Sequence, residues 1–143
     1  MTVYFDTSSF IKLYVEEDGS EAVHELIASG EEPASSEVLR VELRGALARI
    51  HRASNIDPTG HTMALQKFEA DWRNVVKMAV SDTILELAAE LAERHFLRAL
   101  DAIHLASALT LDRRQEGELV LSSWDGSLLD AAVAEGIRVV SVA

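Results

Sequence analysis

Thr2-Val3-Tyr4-Phe5 is a short unbroken apolar run of β-formers that stops at Asp6, and it reads as a buried first strand. Thr7-Ser8-Ser9 offers caps for a short helix over Phe10 to Val15, and Glu16-Glu17-Asp18-Gly19 breaks the pattern. Ser20 then caps a second helix, with Ala22, Val23, Leu26 and Ile27 at helical spacing and Gly30 at its stop. Pro33-Ala34-Ser35 allows a short second strand. From Ser36 to about Ala53, the positions Leu39, Leu43, Ala46, Leu47 and Ile50 recur with helical period and predict the clearest long helix. Ser54 to Gly60, with Asn55, Asp57-Pro58 and Gly60, reads as a loop. Leu65, Phe68 and Trp72 form the stripe of the next helix, and Val75 to Val80 is either extended or a packed loop. Ser81 caps a helix with the face Ile84, Leu87, Ala88 and Leu91, and Leu100 to Leu111 is another, rich in Ala and Leu. Leu119 to Ser123 reads as a strand, Ser127 to Glu135 as a short helix closed by Gly136, and Ile137 to Val142 as the last strand.

Short apolar strands separated by helices imply an α/β fold whose parallel sheet is covered on both faces. Ligands of such sheets bind at the carboxyl ends of the strands. The length of 143 residues and the absence of an internal boundary fit one domain over 1–143. An apolar fraction of 48% with 26% charged residues is globular, and there is no cysteine, which excludes disulfides, thiol nucleophiles and Cys-based metal sites. No apolar run approaches the ~20 residues of a membrane span. The first residues lack a basic stretch followed by a long apolar one, so no signal peptide is expected and a cytoplasmic location is the default. The net charge of −11 argues by itself against a nucleic-acid partner and for a cation or a basic protein. Where the carboxylates sit matters more.

Asp6 follows the first strand, and Asp125 follows the Leu119–Ser123 strand, so both occupy the favoured edge. Glu42 lies about 40° around its helix from Val38 and Ala46, at the border of the buried stripe. Asp101 is the sole acid of Leu97 to Leu109 and stands at a helix start. Plainer roles exist for three of them. Asp101 and Asp125 suit helix caps, and Glu42 suits a half-exposed residue paired with Arg49 or Arg44. A lone acid ending an apolar strand, as Asp6 does, needs solvent, donors or a metal.

Tyr4-Phe5-Asp6-Thr7-Ser8, Ser36-Glu37-Val38-Leu39-Arg40-Val41-Glu42-Leu43, Leu100-Asp101-Ala102-Ile103-His104-Leu105-Ala106 and Ser123-Trp124-Asp125, in this order, resemble the PIN domain family. More narrowly they are similar to the VapC-type toxins of toxin–antitoxin pairs. The resemblance implies a Rossmann-like α/β/α fold and a Mg²⁺- or Mn²⁺-dependent endoribonuclease. It implies a carboxylate site of Asp6, Glu42, Asp101 and Asp125 as catalytic and metal-binding residues, with Ser8 and Ser123 nearby. It also implies an RNA substrate, a VapB-like antitoxin and a homodimer. The Leu65–Phe68–Trp72 stripe reads as core or interface rather than a base-stacking platform, and with the Ile84–Leu91 face it would supply apolar surface for the dimer. One departure is His95-Phe96 before Leu97, where relatives commonly turn at a glycine.

Two carboxylates ~4 Å apart repel by roughly 4 kcal/mol at an effective dielectric of 20. Four cannot all stay ionised without a cation, and all-oxygen ligation suits Mg²⁺ or Mn²⁺ rather than zinc. Lys12, Arg40, Arg44, Arg49 and Arg52 are candidates for phosphate contacts, or else they balance the acids on solvent faces. The antitoxin is expected over a groove by Phe10, Leu13 and the long helix, with an Arg reaching the carboxylates. The five histidines show no metal-ligand spacing. His104 lies near Asp101, where a packing or hydrogen-bonding role is expected. Two other readings remain: a PIN-like module that only binds protein, and an aspartyl-phosphate phosphatase. The second needs an acid two residues after Asp6, where Ser8 stands.

Overall fold

The structure, a computed structural model, describes residues 1–54 and 57–140. Strand β1 (Thr2–Phe5) is buried at every position, as expected of a strand covered on both faces. Helix α1 (Thr7–Phe10) follows and tightens into a 3₁₀ turn over Ile11–Leu13. It begins at Thr7 rather than Phe10 because the Asp6 carboxylate, not a hydroxyl, accepts the free N–H of Ser9 at 3.0 Å. In α2 (Ser20–Ala28) the cap position is Gly19, not Ser20. The Ser20 hydroxyl instead accepts from Glu17 N and donates to Val15 O, each at 3.0 Å. Gly19 has φ 92°, and a Cβ there would lie 2.1 Å from the Trp124 ring, so glycine is required twice over.

Strand β2 (Glu32–Ser36) leads to α3 (Val38–Ser54), the long helix. Helix α4 (Pro58–Trp72) starts inside the segment expected to be a loop: Asp57 caps it through Gly60 N at 2.7 Å, and Pro58 fits the first turn. Asn55 and Ile56 of that expected loop lie outside the described residues. Strand β3 (Val76–Met78) decides the ambiguous segment in favour of extension, and Ser81 caps α5 (Asp82–His95) as expected. Helix α6 (Ala99–Arg114), strand β4 (Leu119–Ser122), helix α7 (Gly126–Ala134) and strand β5 (Arg138–Val139) complete the order. Ser141 and Val142, expected in the last strand, lie outside the described residues.

The five strands are parallel in the order β3-β2-β1-β4-β5, with Phe5 beside Ser122 at the β1–β4 edge. The chain works outward from β1 to β3, then returns to β4 on the other side. Its switch point therefore lies between β1 and β4, where Asp6 and Asp125 emerge. Alternation along β1 divides the core. Val3 and Phe5 pack with Phe10, Leu39, Leu43 and Phe68, whereas Tyr4 packs with Leu91, Leu105 and Leu128. This is the expected α/β/α layering.

The two apolar stripes take their places in the core. Phe68 and Trp72 belong to one core layer, and Ile84 and Leu91 to the other. Burying such side chains stabilises the monomer by about 1.5–3 kcal/mol each. Phe68, Trp72, Ile84 and Leu91 are therefore core, while Leu65 and Leu87 stay partly buried. Among the described residues no helix is long and apolar enough to cross a membrane.

Candidate active site

Asp6 stands at the C-terminal end of β1 with only 3% of its surface exposed. Ser8 Oγ donates toward both its oxygens at 2.8 and 2.9 Å, Ser9 N donates to Oδ1, and Ser123 Oγ donates to Oδ2 at 2.6 Å. The two serines extend the network: Trp124 N donates to Ser8 Oγ at 2.8 Å and Asp125 N to Ser123 Oγ at 3.0 Å. A single set of hydroxyls thus fixes the first acid and the loop that carries the fourth. Burial pushes the Asp6 carboxyl above its ordinary value, opposed by the Ser123 bond, the charge of His104 and the Ser8 and Ser9 bonds. Ser8 serves Asp6 as a donor, so the acid that a phosphatase would need at this position is lacking.

Asp125 caps α7, accepting from Leu128 N at 3.0 Å. The cap role expected for it is real and occupies Oδ1. Asp101 is not the cap of its helix: α6 starts at Ala99 with Arg98 in the cap position, and Asp101 lies within the first turn. Burial, then the charges of Asp125 and Asp6, push its carboxyl up. His104 opposes this and Glu42 adds to it. No hydrogen-bond donor among the described residues offsets the rise. Asp101 thus feels the charges of Asp125, Asp6 and Glu42 at the β1–β4 switch point.

Glu42 is paired with neither Arg44 nor Arg49. His104, 1% exposed, sits between Tyr4 Oη at 2.8 Å from Nδ1 and Glu42 Oε1 at 2.7 Å from Nε2. A carboxylate only accepts, so Nε2–H donates to Glu42, while Nδ1 hydrogen-bonds the protonated Tyr4 hydroxyl. Burial raises the Tyr4 phenol far above its usual range, which keeps that proton in place. The i, i+3 spacing from Asp101 brought His104 to this side of α6, and it makes the hydrogen-bonding contact expected of it.

Phe96, Leu97, Arg98, Asp101, Asp125 and Ser127 line a cleft of about 270 Å³ beside the acids. A roomier open groove of about 520 Å³ runs past Glu86, Glu90, Arg113 and Arg114, but none of the residues lining it is buried and the acids do not converge there. The donor set at the cleft is hard: carboxylates and hydroxyls, with its histidine turned onto Glu42. Among the described residues no three acidic or histidine side chains already form a cage. The mutual repulsion recorded at Asp101 is what a divalent cation would relieve. The residues therefore fit Mg²⁺ or Mn²⁺ by donor chemistry.

Residues 3–134 match the PIN domain family. The chain belongs to the PIN domain family. It is 35% identical over 137 residues to Ribonuclease VapC45 of Mycobacterium tuberculosis, covering 96% of this chain and 93% of that one. Among solved structures it is similar to a toxin–antitoxin complex from Klebsiella pneumoniae. There the TM-score is 0.66 at 23% identity, covering 97% of this chain and 96% of that one. It is also similar to VapBC2 of Rickettsia felis bound to a promoter DNA fragment, with a TM-score of 0.66 at 12% identity and 98% of each chain covered. These likenesses bear out the PIN fold and place the chain in the VapC branch.

The basic residues of this PIN domain are arranged differently from the expectation. Lys12 is buried, with Nζ donating to Glu17 Oε1 at 2.9 Å and Asp18 O at 2.7 Å, and it sits 4.6 Å from the Trp124 ring centre. Arg40 and Arg44 both bind Glu69, at 2.9 and 2.8 Å. Arg49 and Arg52 remain exposed. Phe10 and Leu13 do line a small cavity, of about 160 Å³, but its other walls are Ile27, Pro33, Asp71, Asn74 and Val75 and not the long helix. Two cleft residues escaped the sequence reading. Arg98 is hidden in the pattern as an ordinary exposed helix-start residue. Phe96 was visible only as the departure from a glycine turn.

Proposed function

We propose that this PIN domain is a cytoplasmic, divalent-metal-dependent endoribonuclease toxin restrained by an antitoxin. The observation that carries the reading is geometric: Asp101 and Asp125 line one cleft at the β1–β4 switch point, and Ser123 ties the Asp125 loop to the buried Asp6. The ribonuclease name of the M. tuberculosis relative supports the reaction, and the toxin–antitoxin structures support the partner.

Each acid has a distinct task in this reading. Asp6 is held rigidly by Ser8, Ser9 and Ser123, which present both its oxygens in one orientation. His104 aims Glu42 and is itself aimed by Tyr4. Asp101 and Asp125 form the open side of the cleft, where the phosphodiester would enter. Mg²⁺ or Mn²⁺ would be held by these four acids, and it supplies Lewis-acid charge that reconciles a carboxylate cluster with a polyanionic strand. An antitoxin Arg entering the same cleft would meet the acids with bidentate hydrogen bonds.

The test is cleavage of total RNA with Mg²⁺ or Mn²⁺, with and without chelator, beside thermal melting under the same conditions. Chelator-sensitive cleavage and a metal-induced rise in Tm are expected, since a ligand of the folded state alone stabilises it. Absence of both removes the nuclease reading and leaves a protein-binding module. Sedimentation at micromolar concentration reads the homodimer separately: a monomer throughout removes the dimer and leaves the chemistry intact.

A further inference from the structure

We propose that Phe96 is a stacking platform for a nucleobase of the RNA strand at the acidic cleft, with Arg98 meeting the adjoining phosphate; this rests on the ribonuclease reading above. Three observations at one residue lead to it. Phe96 ends α5 in the left-handed conformation, at φ 56° and ψ 39°, a position helices usually give to glycine. Phe96 is 93% exposed, the most exposed large apolar residue among the described residues. It also lines the cleft that holds Asp101 and Asp125. Strain and exposure act in the same direction, since neither backbone preference nor burial favours a phenylalanine here.

The comparison with Glu116 sharpens this. Glu116 also has a positive φ, of 55°, but it is polar, beside Gly117, in a turn away from the acids. Left-handed geometry alone therefore marks nothing; an exposed aromatic beside the acids does. Apart from the buried Leu97, the remaining cleft lining is charged or hydroxylic: Arg98, Asp101, Asp125 and Ser127. The core of a protein interface is depleted of such groups, which favours a nucleotide over a second copy of the chain. Arg98, at the cap of α6, is exposed and makes no ion pair among the described residues, unlike Arg40 and Arg44. Unpaired nucleotides of RNA are held in this manner, with the base stacked on an aromatic ring and the backbone met by a cation.

The experiment compares wild type, Phe96→Gly and Phe96→Trp. It uses a fluorophore–quencher-labelled single-stranded RNA pool of randomised sequence with Mn²⁺, with Tm and sedimentation measured alongside. Phe96→Gly is expected to raise KM about tenfold, the size of one lost base stack, with kcat within about twofold. Its Tm should hold or rise, because glycine relieves the positive φ. Phe96→Trp should restore the wild-type KM. An unchanged KM in Phe96→Gly overturns the proposal. So does a change of oligomeric state, or a weakened antitoxin complex with unchanged KM, since each assigns Phe96 to a protein interface. A wild type that cleaves no RNA defeats the ribonuclease reading and this one together. Cleavage by wild type that Phe96→Gly matches defeats this one alone.

Discussion

Asp6 and Asp101 carry the same functional group near the β1–β4 switch point, and burial raises both carboxyls, yet their partners differ. Asp6 is buried and receives donors from Ser8, Ser9 and Ser123. Asp101 is half-buried, without a donor among the described residues, and is pushed up first by burial and then by the charges of Asp125, Asp6 and Glu42. The first is held by the fold whether or not a cation is present. Burial and the charges of neighbouring acids penalise the ionised form of the second. An acidic site can thus have a fixed side and a responsive side, and charge removal should separate them.

The largest effect is expected from Asp101→Asn. Cleavage should fall by at least about a hundredfold, the scale of losing one charge-stabilising group at a reacting centre. In chelator the same variant should melt higher than wild type, by up to about 3 °C. The pH dependence fixes the sign. Asp101 is raised in the folded state, so its favourable contribution is complete below the unfolded pKa and is lost as pH rises through the folded one. The chelated wild type should therefore lose stability with rising pH more steeply than Asp101→Asn. Identical pH profiles for the two proteins would break the contrast.

Asp6→Ala should abolish cleavage equally but lower stability. It leaves the Ser9 N–H and two serine hydroxyls without their acceptor, at about 1–3 kcal/mol. A Tm equal to or above wild type in chelator would show that the serines do not depend on Asp6. His104→Phe keeps the ring against Tyr4 but strips Glu42 and the Tyr4 hydroxyl of their partner. About 2 kcal/mol of stability and about tenfold in activity should go, as for other residues that orient a ligand. Full activity in that variant would separate Glu42 from the reaction. The smallest effect is expected at Glu69→Gln, which frees Arg40 and Arg44. Exposed pairs contribute below about 1 kcal/mol, and denaturation at ~1 M salt should erase the difference from wild type.

The layered parallel fold and the strand-end acids Asp6 and Asp125 were legible in the sequence as local signals of period and position; Glu42 and Asp101 stood out as acids beside apolar helix faces, and only the family resemblance joined the four. Strand β1 could be read from Thr2–Phe5, and α3 from the spacing of Leu39, Leu43 and Leu47. The sequence also displayed the missing glycine at Phe96, though not its meaning. Tertiary structure decided which groups each acid meets. Ser123 reaches Asp6 from 117 positions away and His104 reaches Glu42 across 62, contacts that no helical or strand period encodes. It decided that the stripe of Phe68 and Trp72 is core rather than interface, since an amphipathic face does not say what covers it. It also withdrew Lys12 from solvent and tied Arg40 and Arg44 to Glu69, because a long cationic side chain takes whichever acid the packing brings within reach.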